Sequence, residues 1–206
     1  MPLGDPADID LASLRVGFHT DDGISTPTAE TQAVVRAVAS VMESAGARVD
    51  ESRPDGLERS FDVGEKVCSA DGWAAARRLL REAKTTEFSI EVTGPAHDAE
   101  ALDRLMADWY AVRSEMSGYL ENHDVILCPV NAKPAGLHGT TLFPDFSYTV
   151  SYNVTGWPAA VVRGGTSPEG LPIDVQVVVA PAREDIVLAV AAHLESALRG
   201  FQPPPM

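Results

Sequence analysis

The sequence predicts an α/β domain: a mixed β-sheet of about five strands flanked by helices. Three observations carry this. Strand, helix and strand signals follow one another between Leu14 and Glu51, the pattern of a βαβ unit and hence of a parallel pair. An apolar run at Val125–Cys128 and a β-branched run at Ile173–Val179, broken only by Asp174 and Gln176, read as strands buried on both faces. Between Ala159-Ala160-Val161-Val162 and Ile173, the stretch Ser167-Pro168-Glu169-Gly170 puts Pro and Gly at the second and fourth positions of a type I turn, so those two strands form a hairpin.

Residues 1–12 are rich in Pro and Asp and read as a lead-in segment. One domain is expected over 13–199, with a Pro-rich, disordered tail over 200–206. Leu14–Phe18 is the first strand, and His19–Thr26, with Asp21-Asp22-Gly23, is a loop. Thr26 or Thr28 can cap the next helix; a Thr26 cap would put Pro27 at the first helical position, where its missing donor costs nothing. Val34, Val35, Val38, Val41, Met42 and Ala45 recur at helical spacing as one apolar stripe, and Gly46 stops the helix. Ala47–Glu51 is a brief strand and Ser52–Leu57 a loop. A second helix is expected from Glu65 to Ala83, weakened at Asp71-Gly72, followed by an irregular stretch to Pro95. A third runs from Asp98 to Glu121, where Leu102, Leu105, Met106, Trp109, Val112, Met116, Tyr119 and Leu120 keep the helical period. Pro129 ends the strand that begins at Val125. Val130–Pro144 is a long loop with Pro134, Gly136 and Gly139, and loops of that length are more often functional than structural. A helix end near Tyr148 leads into the turn-rich stretch Tyr152–Pro158. Ala159–Val162 reads as a short buried strand. Arg183-Glu184-Asp185 opens an amphipathic helix that reaches Leu198.

The chain has 206 residues, enough for a sizeable core. A net charge of −14 leaves no surplus to neutralise phosphates, which argues against nucleic acid as a partner. No apolar run approaches the ~18 residues a membrane helix needs. The first residues have neither a basic segment nor an apolar core, so a cytoplasmic location is expected. Cys68 and Cys128 leave one disulfide open but no disulfide framework, and Cys128 reads as a buried core thiol.

Familiar catalytic patterns are missing. There is no G-x-S-x-G, S-x-x-K or C-x-x-C. His19, His97, His123, His138 and His193 show no i, i+4 pairing and read as exposed or capping residues, not metal ligands. Asp21-Asp22-Gly23 lacks the ligand alternation and terminal Glu of a calcium loop. Gly165 and Gly170 have the spacing of a phosphate loop, but Leu171 stands where its lysine must be. No metal or organic cofactor is expected.

Several short stretches acquire meaning together. They are Asn153, Thr155, Gly156 and Pro158; Gly170-Leu171-Pro172; Gln176; Glu184 with Leu188; and, upstream, Asp124-Val125-Ile126-Leu127 followed by Pro129. In this order and spacing they resemble the C-terminal end of the amidase signature family, most clearly over residues 124–198 and more weakly at Leu14-Arg15-Val16-Gly17. The resemblance implies hydrolysis of a carboxamide C–N bond by a Ser–cis-Ser–Lys triad, without metal or cofactor. The nucleophile would sit in a Gly/Ser-rich loop whose backbone N–H groups hold the oxyanion, with a neutral lysine as base. No such loop occurs in this sequence. Gly164-Gly165-Thr166-Ser167 falls in the hairpin, and Lys66, Lys84 and Lys133 lack the Gly/Ser surroundings of the family base. The expectation is therefore the C-terminal part of an amidase, inactive alone, whether as a truncated gene, an isolated piece or one partner of a split enzyme.

In the family this half supplies much of the substrate pocket's wall. The resemblance makes Asn153, Thr155, Gly156, Trp157 and Gln176 the substrate-binding candidates, with the loop 130–148 beside them. Each has a plainer alternative. Asn153 and Thr155 can satisfy turn backbone, Trp157 can be core, and Gln176 can cap a buried network between sheet and helix. The chain departs from the family pattern at Asp174, where glycine is usual, at Val179, where a small residue is usual, and at Arg163, where proline is common. Asp174 and Arg163 could pair across the hairpin. The partners expected are a small amide, bound only with the catalytic half present, and a second copy meeting an uncovered sheet or helix face that includes part of Ala159–Val162 or Val175–Val179. The alternative readings are a non-enzymatic interaction module using the 130–148 loop, and an unrelated α/β enzyme.

Overall fold

A computed structural model describes residues 3–85, 93–137, 140 and 143–198. Strands β1 (Arg15–Phe18), β2 (Arg48–Glu51), β3 (Val125–Pro129), β4 (Ala159–Thr166) and β5 (Pro172–Val179) form one sheet in the order β2-β1-β3-β5-β4. β1 runs parallel to β2 and to β3, while β5 is antiparallel to both β3 and β4. The sheet is therefore mixed, as the βαβ unit and the hairpin require together.

Among the described residues there are six helices: α1 (Ala29–Ser44), α2 (Leu57–Ser69), α3 (Ala74–Glu82), α4 (Ala99–Tyr119), α5 (Ser147–Thr155) and α6 (Glu184–Ala197). Side chains of a strand alternate between faces, and the two faces here have separate cores. On one, Val35, Val38 and Met42 of α1 and Ile186, Val190 and Leu194 of α6 pack on Val125, Leu127, Val175, Val177 and Val179. On the other, Leu57 and Val63 of α2, Leu105, Val112 and Met116 of α4, and Tyr152 and Val154 of α5 pack on Ile126, Cys128 and Val178. β3 and Val175–Val179 are thus buried on both faces, each aliphatic side chain contributing about 1.5–3 kcal/mol.

Local signals explain most boundaries. Thr28 caps α1, its hydroxyl accepting from the Thr31 N–H at 3.4 Å. The weakness at Asp71-Gly72 is a true break between α2 and α3. The hairpin turn closes with the Gly170 N–H donating to Ser167 O at 2.9 Å. Cys68 and Cys128 are both free. The lead-in residues form two short 3-10 turns, at Pro6–Asp8 and Leu11–Ser13, and Ile9 and Leu11 pack against the first core. No helix among the described residues is long and apolar enough to cross a membrane. The Pro-rich tail, His138 and Gly139 lie outside the described residues.

Four expectations need correction. The second helix begins at Leu57, eight residues before Glu65, because Gly56 takes a left-handed φ of 80° and starts it directly from the loop. Its apolar face is thin, but Gly64 lets α5 approach so closely that an added Cβ would lie 2.5 Å from Val150 Cγ1. The stretch from Tyr152 is helical to Thr155, and only Gly156, at φ 72°, ends it as a left-handed cap. Ala159–Val162 is not a buried strand: β4 is the sheet's edge, and Val161 is 54% exposed. Finally, Arg163 and Asp174 stand opposite in register, but the guanidinium turns back along its own strand to Gly165 O and Thr166 Oγ1.

Candidate pocket wall

The topology gathers the loop after β1, the strand β3 and the helix α5 around Gln176 on β5. Gln176 is 5% exposed, and its Nε2 donates to Tyr148 O at 3.2 Å and to Cys128 Sγ at 3.4 Å. One side chain thereby ties β5 to β3 and α5. Tyr148 and Tyr152 are four residues apart and so share a face of α5. The Tyr148 hydroxyl lies 3.1 Å from Thr20 O and 2.9 Å from Ser25 O, pinning the loop after β1. The Tyr152 hydroxyl meets His19 Nε2 at 2.9 Å.

Burial sets the electrostatics of this cluster. His19 is buried, contrary to the exposed or capping role expected of it, and its Nδ1 has no partner. Loss of water pushes its pKa down to about 4 against the opposing pull of the Asp21 backbone. Burial pushes the Cys128 thiol up to about 12, although hydrogen bonds from Gln176 and Tyr152 oppose it. It raises the Tyr148 and Tyr152 phenols too. Near neutral pH the cluster therefore holds a neutral imidazole, a protonated thiol and two protonated phenols. Asp22 lies beside them, fully buried, with Oδ1 accepting from the Ile24 and Ser25 N–H groups and Oδ2 unpartnered. The arrangement can shape a cavity and offer hydrogen bonds. It contains no activated nucleophile.

The sequence candidates divide. Gln176 sits at the centre of the buried network. Thr155 and Trp157 are buried, but the Thr155 hydroxyl donates to Tyr152 O at 2.8 Å and accepts from the Trp157 N–H at 3.4 Å, so it serves the turn. Trp157 lies against Tyr152 with ring centroids 6.1 Å apart. Asn153 and Gly156 are exposed at the end of α5. Sequence reasoning reached Tyr148 only as the end of the 130–148 loop and missed His19, Asp22 and Tyr152; the i, i+4 tyrosine pair was the one available signal.

The groups sought for a triad are dispersed. Ser167 is buried, and its hydroxyl accepts from the Leu171 N–H at 3.2 Å in the hairpin turn. Gly164 and Gly165 lie in β4, where an added Cβ at either would meet Val34 of α1 at 2.6 Å. Ser60 and Ser151 form a buried hydroxyl pair at 2.6 Å. Lys66 is instead bound to Asp62 at 2.6 Å and Lys133 to Asp145 at 2.9 Å, both on the surface, and Lys84 is exposed. Among the described residues no group of three or more His, Cys, Asp or Glu could hold a metal.

Comparison with known proteins gives this architecture its family. The profile of the family described as Amidase matches residues 3–188. The 6-aminohexanoate-cyclic-dimer hydrolase of Pseudomonas sp. (strain NK87) is 32% identical over 224 residues, covering 90% of this chain and 44% of that protein. Fatty acid amide hydrolase 1 of Caenorhabditis elegans is 26% identical, covering 91% of this chain and 43% of that protein. A solved structure of 6-aminohexanoate cyclic dimer hydrolase superposes with a TM-score of 0.76 at 26% identity, over 96% of this chain and 48% of that one. A solved fatty acid amide hydrolase shares the fold at a TM-score of 0.80 and 17% identity. The chain spans less than half the length of these relatives. On the profile match over residues 3–188, the chain belongs to the amidase signature family.

Proposed function

We propose that these residues form the wall half of an amide-hydrolase pocket, acting on a carboxamide C–N bond only when a polypeptide bearing the Gly/Ser-rich catalytic loop completes the site. The observation that carries this is the family match over residues 3–188 in a sequence that contains no such loop. The dispersal of lysines and serines supports it: the one hydroxyl pair described above, Ser60–Ser151, is buried away from Lys66 and Lys133, which carboxylates hold at the surface. A relay from lysine through serine to a second serine needs all three within hydrogen-bond reach. The hydrogen bonds around Gln176 suit a wall, since they keep Tyr148 and Tyr152 fixed. Gln176 is the central wall residue, with Thr155 and Trp157 supporting the turn behind it and Asn153 and Gly156 at the helix end. The substrate class is a small amide.

The test is direct. The purified chain is incubated with aliphatic and aryl carboxamides, and release of amine or ammonia is measured. No turnover above background is expected. Turnover that disappears in Ser167→Ala or Ser60→Ala would overturn the reading.

A further inference from the structure

We propose that α3 is one half of an interface between two copies of this chain, and that it docks on the outward face of the first half of α4 on the second copy. The assembly stands apart from amide hydrolysis and needs no catalytic loop.

α3 is a helix without a core. None of its residues is buried, and none belongs to either hydrophobic cluster. A helix of nine residues is marginal on its own in water. Yet this one is firmly held. Asp71 Oδ2 accepts from the Ala75 N–H at 2.7 Å, and Arg77 Nη1 donates to Gly72 O at 2.6 Å. The stems beside it are tied where Asp71 bridges Ala96 and the His97 N–H donates to Ala70 O at 2.9 Å. Trp73 and Lys84, at its two ends, keep left-handed φ values of 65° and 54°, which cost an L residue energy. At helical spacing Ala76, Leu79, Leu80 and Ala83 share one side, and Arg77, Arg78, Arg81 and Lys84 share the other. Leu79 is 60% exposed. A two-sided helix fixed in place with its apolar side bare has the character of an interface.

Charge complementarity names the occupant. Residues 73–84 carry four basic groups against the single acid Glu82, a local charge of +3 in a chain of −14, so the remainder carries −17. That remainder repels phosphate polymers and anionic bilayers alike. A matching surface lies on the chain itself. Residues 98–110 carry Asp98, Glu100, Asp103 and Asp108 against the single base Arg104, a local charge of −3. There Leu102, Met106 and Tyr110 recur every fourth residue as a stripe beside the buried side of α4, with Leu102 43% and Tyr110 61% exposed. Asp103 is exposed three residues before Met106 and so flanks the stripe. Arg113, further along the helix, is held over the Trp109 ring, 5.4 Å from its centroid. The apolar side of α3 therefore suits the α4 stripe, and its arginines suit the carboxylates around it. A two-fold axis repeats the contact, α3 of each copy on α4 of the other. Pairs in contact act well inside the Debye length of about 8 Å, beyond which salt screens the repulsion between two acidic chains.

The test is sedimentation velocity of the full 206-residue chain over micromolar concentrations at physiological salt. A concentration-dependent dimer is expected. Arg81→Glu and Asp103→Arg, both at exposed positions, should each weaken it about tenfold or more. The two changes together re-pair the charges across the contact and should restore it. Arg48→Glu, exposed on β2, makes the same change in net charge as Arg81→Glu and should leave the dimer intact. A monomer at every concentration overturns the proposal. So does a dimer that Arg81→Glu weakens no more than Arg48→Glu does, or one that the double variant fails to restore. Phosphatidylserine vesicles form the second arm. A chain that stays monomeric but binds them, and loses that binding with Arg81→Glu, assigns α3 to a lipid surface and overturns the proposal as well.

Discussion

Tyr152→Phe removes one oxygen from the buried cluster beside Gln176, and its cost can be worked from the geometry. The hydroxyl is His19 Nε2's partner at 2.9 Å, and His19 Nδ1 already has none. Without it, a buried imidazole loses the partner of its Nε2. Leaving a buried polar atom unsatisfied costs about 1–3 kcal/mol, and the phenyl ring retains the packing. With a urea m-value of about 2 kcal/mol/M, the midpoint should fall by roughly 0.5–1.5 M with the slope unchanged. Removing both partners behaves differently, because nothing polar is then stranded. His19→Leu with Tyr152→Phe should therefore cost less than the two single changes summed, with a coupling of about 0.5–3 kcal/mol. Urea denaturation of the four proteins by far-UV circular dichroism measures this. A neutral Tyr152→Phe together with an additive cycle would show that the pair is not a buried hydrogen bond and would refute the reasoning.

Four further outcomes follow from single positions. Gly17→Ala drives a methyl into the Tyr119 hydroxyl and to 2.8 Å from its Cζ, displacing the ring that bonds Ser52; thermal melting should show a loss of about 1–3 kcal/mol, larger than for a typical surface change. Gly156→Ala meets no atom within 4 Å but keeps φ at 72°, so it should cost about 1–2 kcal/mol from backbone alone, and Gly156→Asn less. Stability should fall on the acid side: His19 is depressed from 6.5 to about 4, so between those values the unfolded chain binds the extra proton and folding weakens as pH drops. That loss should be absent in His19→Leu. A further decline below the ordinary carboxylate range should follow from Asp124, whose pKa the Arg15 hydrogen bonds hold down, and Asp124→Asn should remove it; urea midpoints measured from pH 7 to pH 3 read both.

The sheet was largely legible because its strongest signals are local. Val125–Cys128 and Ile173–Val179 are apolar enough to fix buried strands, and Pro168 with Gly170 fixes the turn between the antiparallel pair. α1 and α4 announce themselves by period. What local signals do not contain is which face of a strand its neighbours cover. Ala159–Val162 has a buried composition, yet it lies at the edge because α2, α4 and α5 end one strand short, a fact of tertiary arrangement. The proposed wall was legible only in part. Gln176 stands out as a polar interruption in an apolar run, and that interruption proved to be the junction of β3, β5 and α5. His19, Asp22 and Tyr148 come from segments more than a hundred residues apart in part, and only folding brings the loop after β1 onto α5. Asn153 and Gly156 carry residue types that helix caps and pocket turns share, so the sequence alone does not separate the two roles.

The most direct test of the central claim is amide turnover by the chain alone and by the chain co-assembled with the catalytic portion of a relative. Background rates are expected for either piece separately, turnover for the assembly, and a fall in that turnover when Gln176→Leu disrupts the proposed wall. Turnover by the chain alone, or an assembly whose rate is the catalytic portion's own and indifferent to Gln176→Leu, would contradict it.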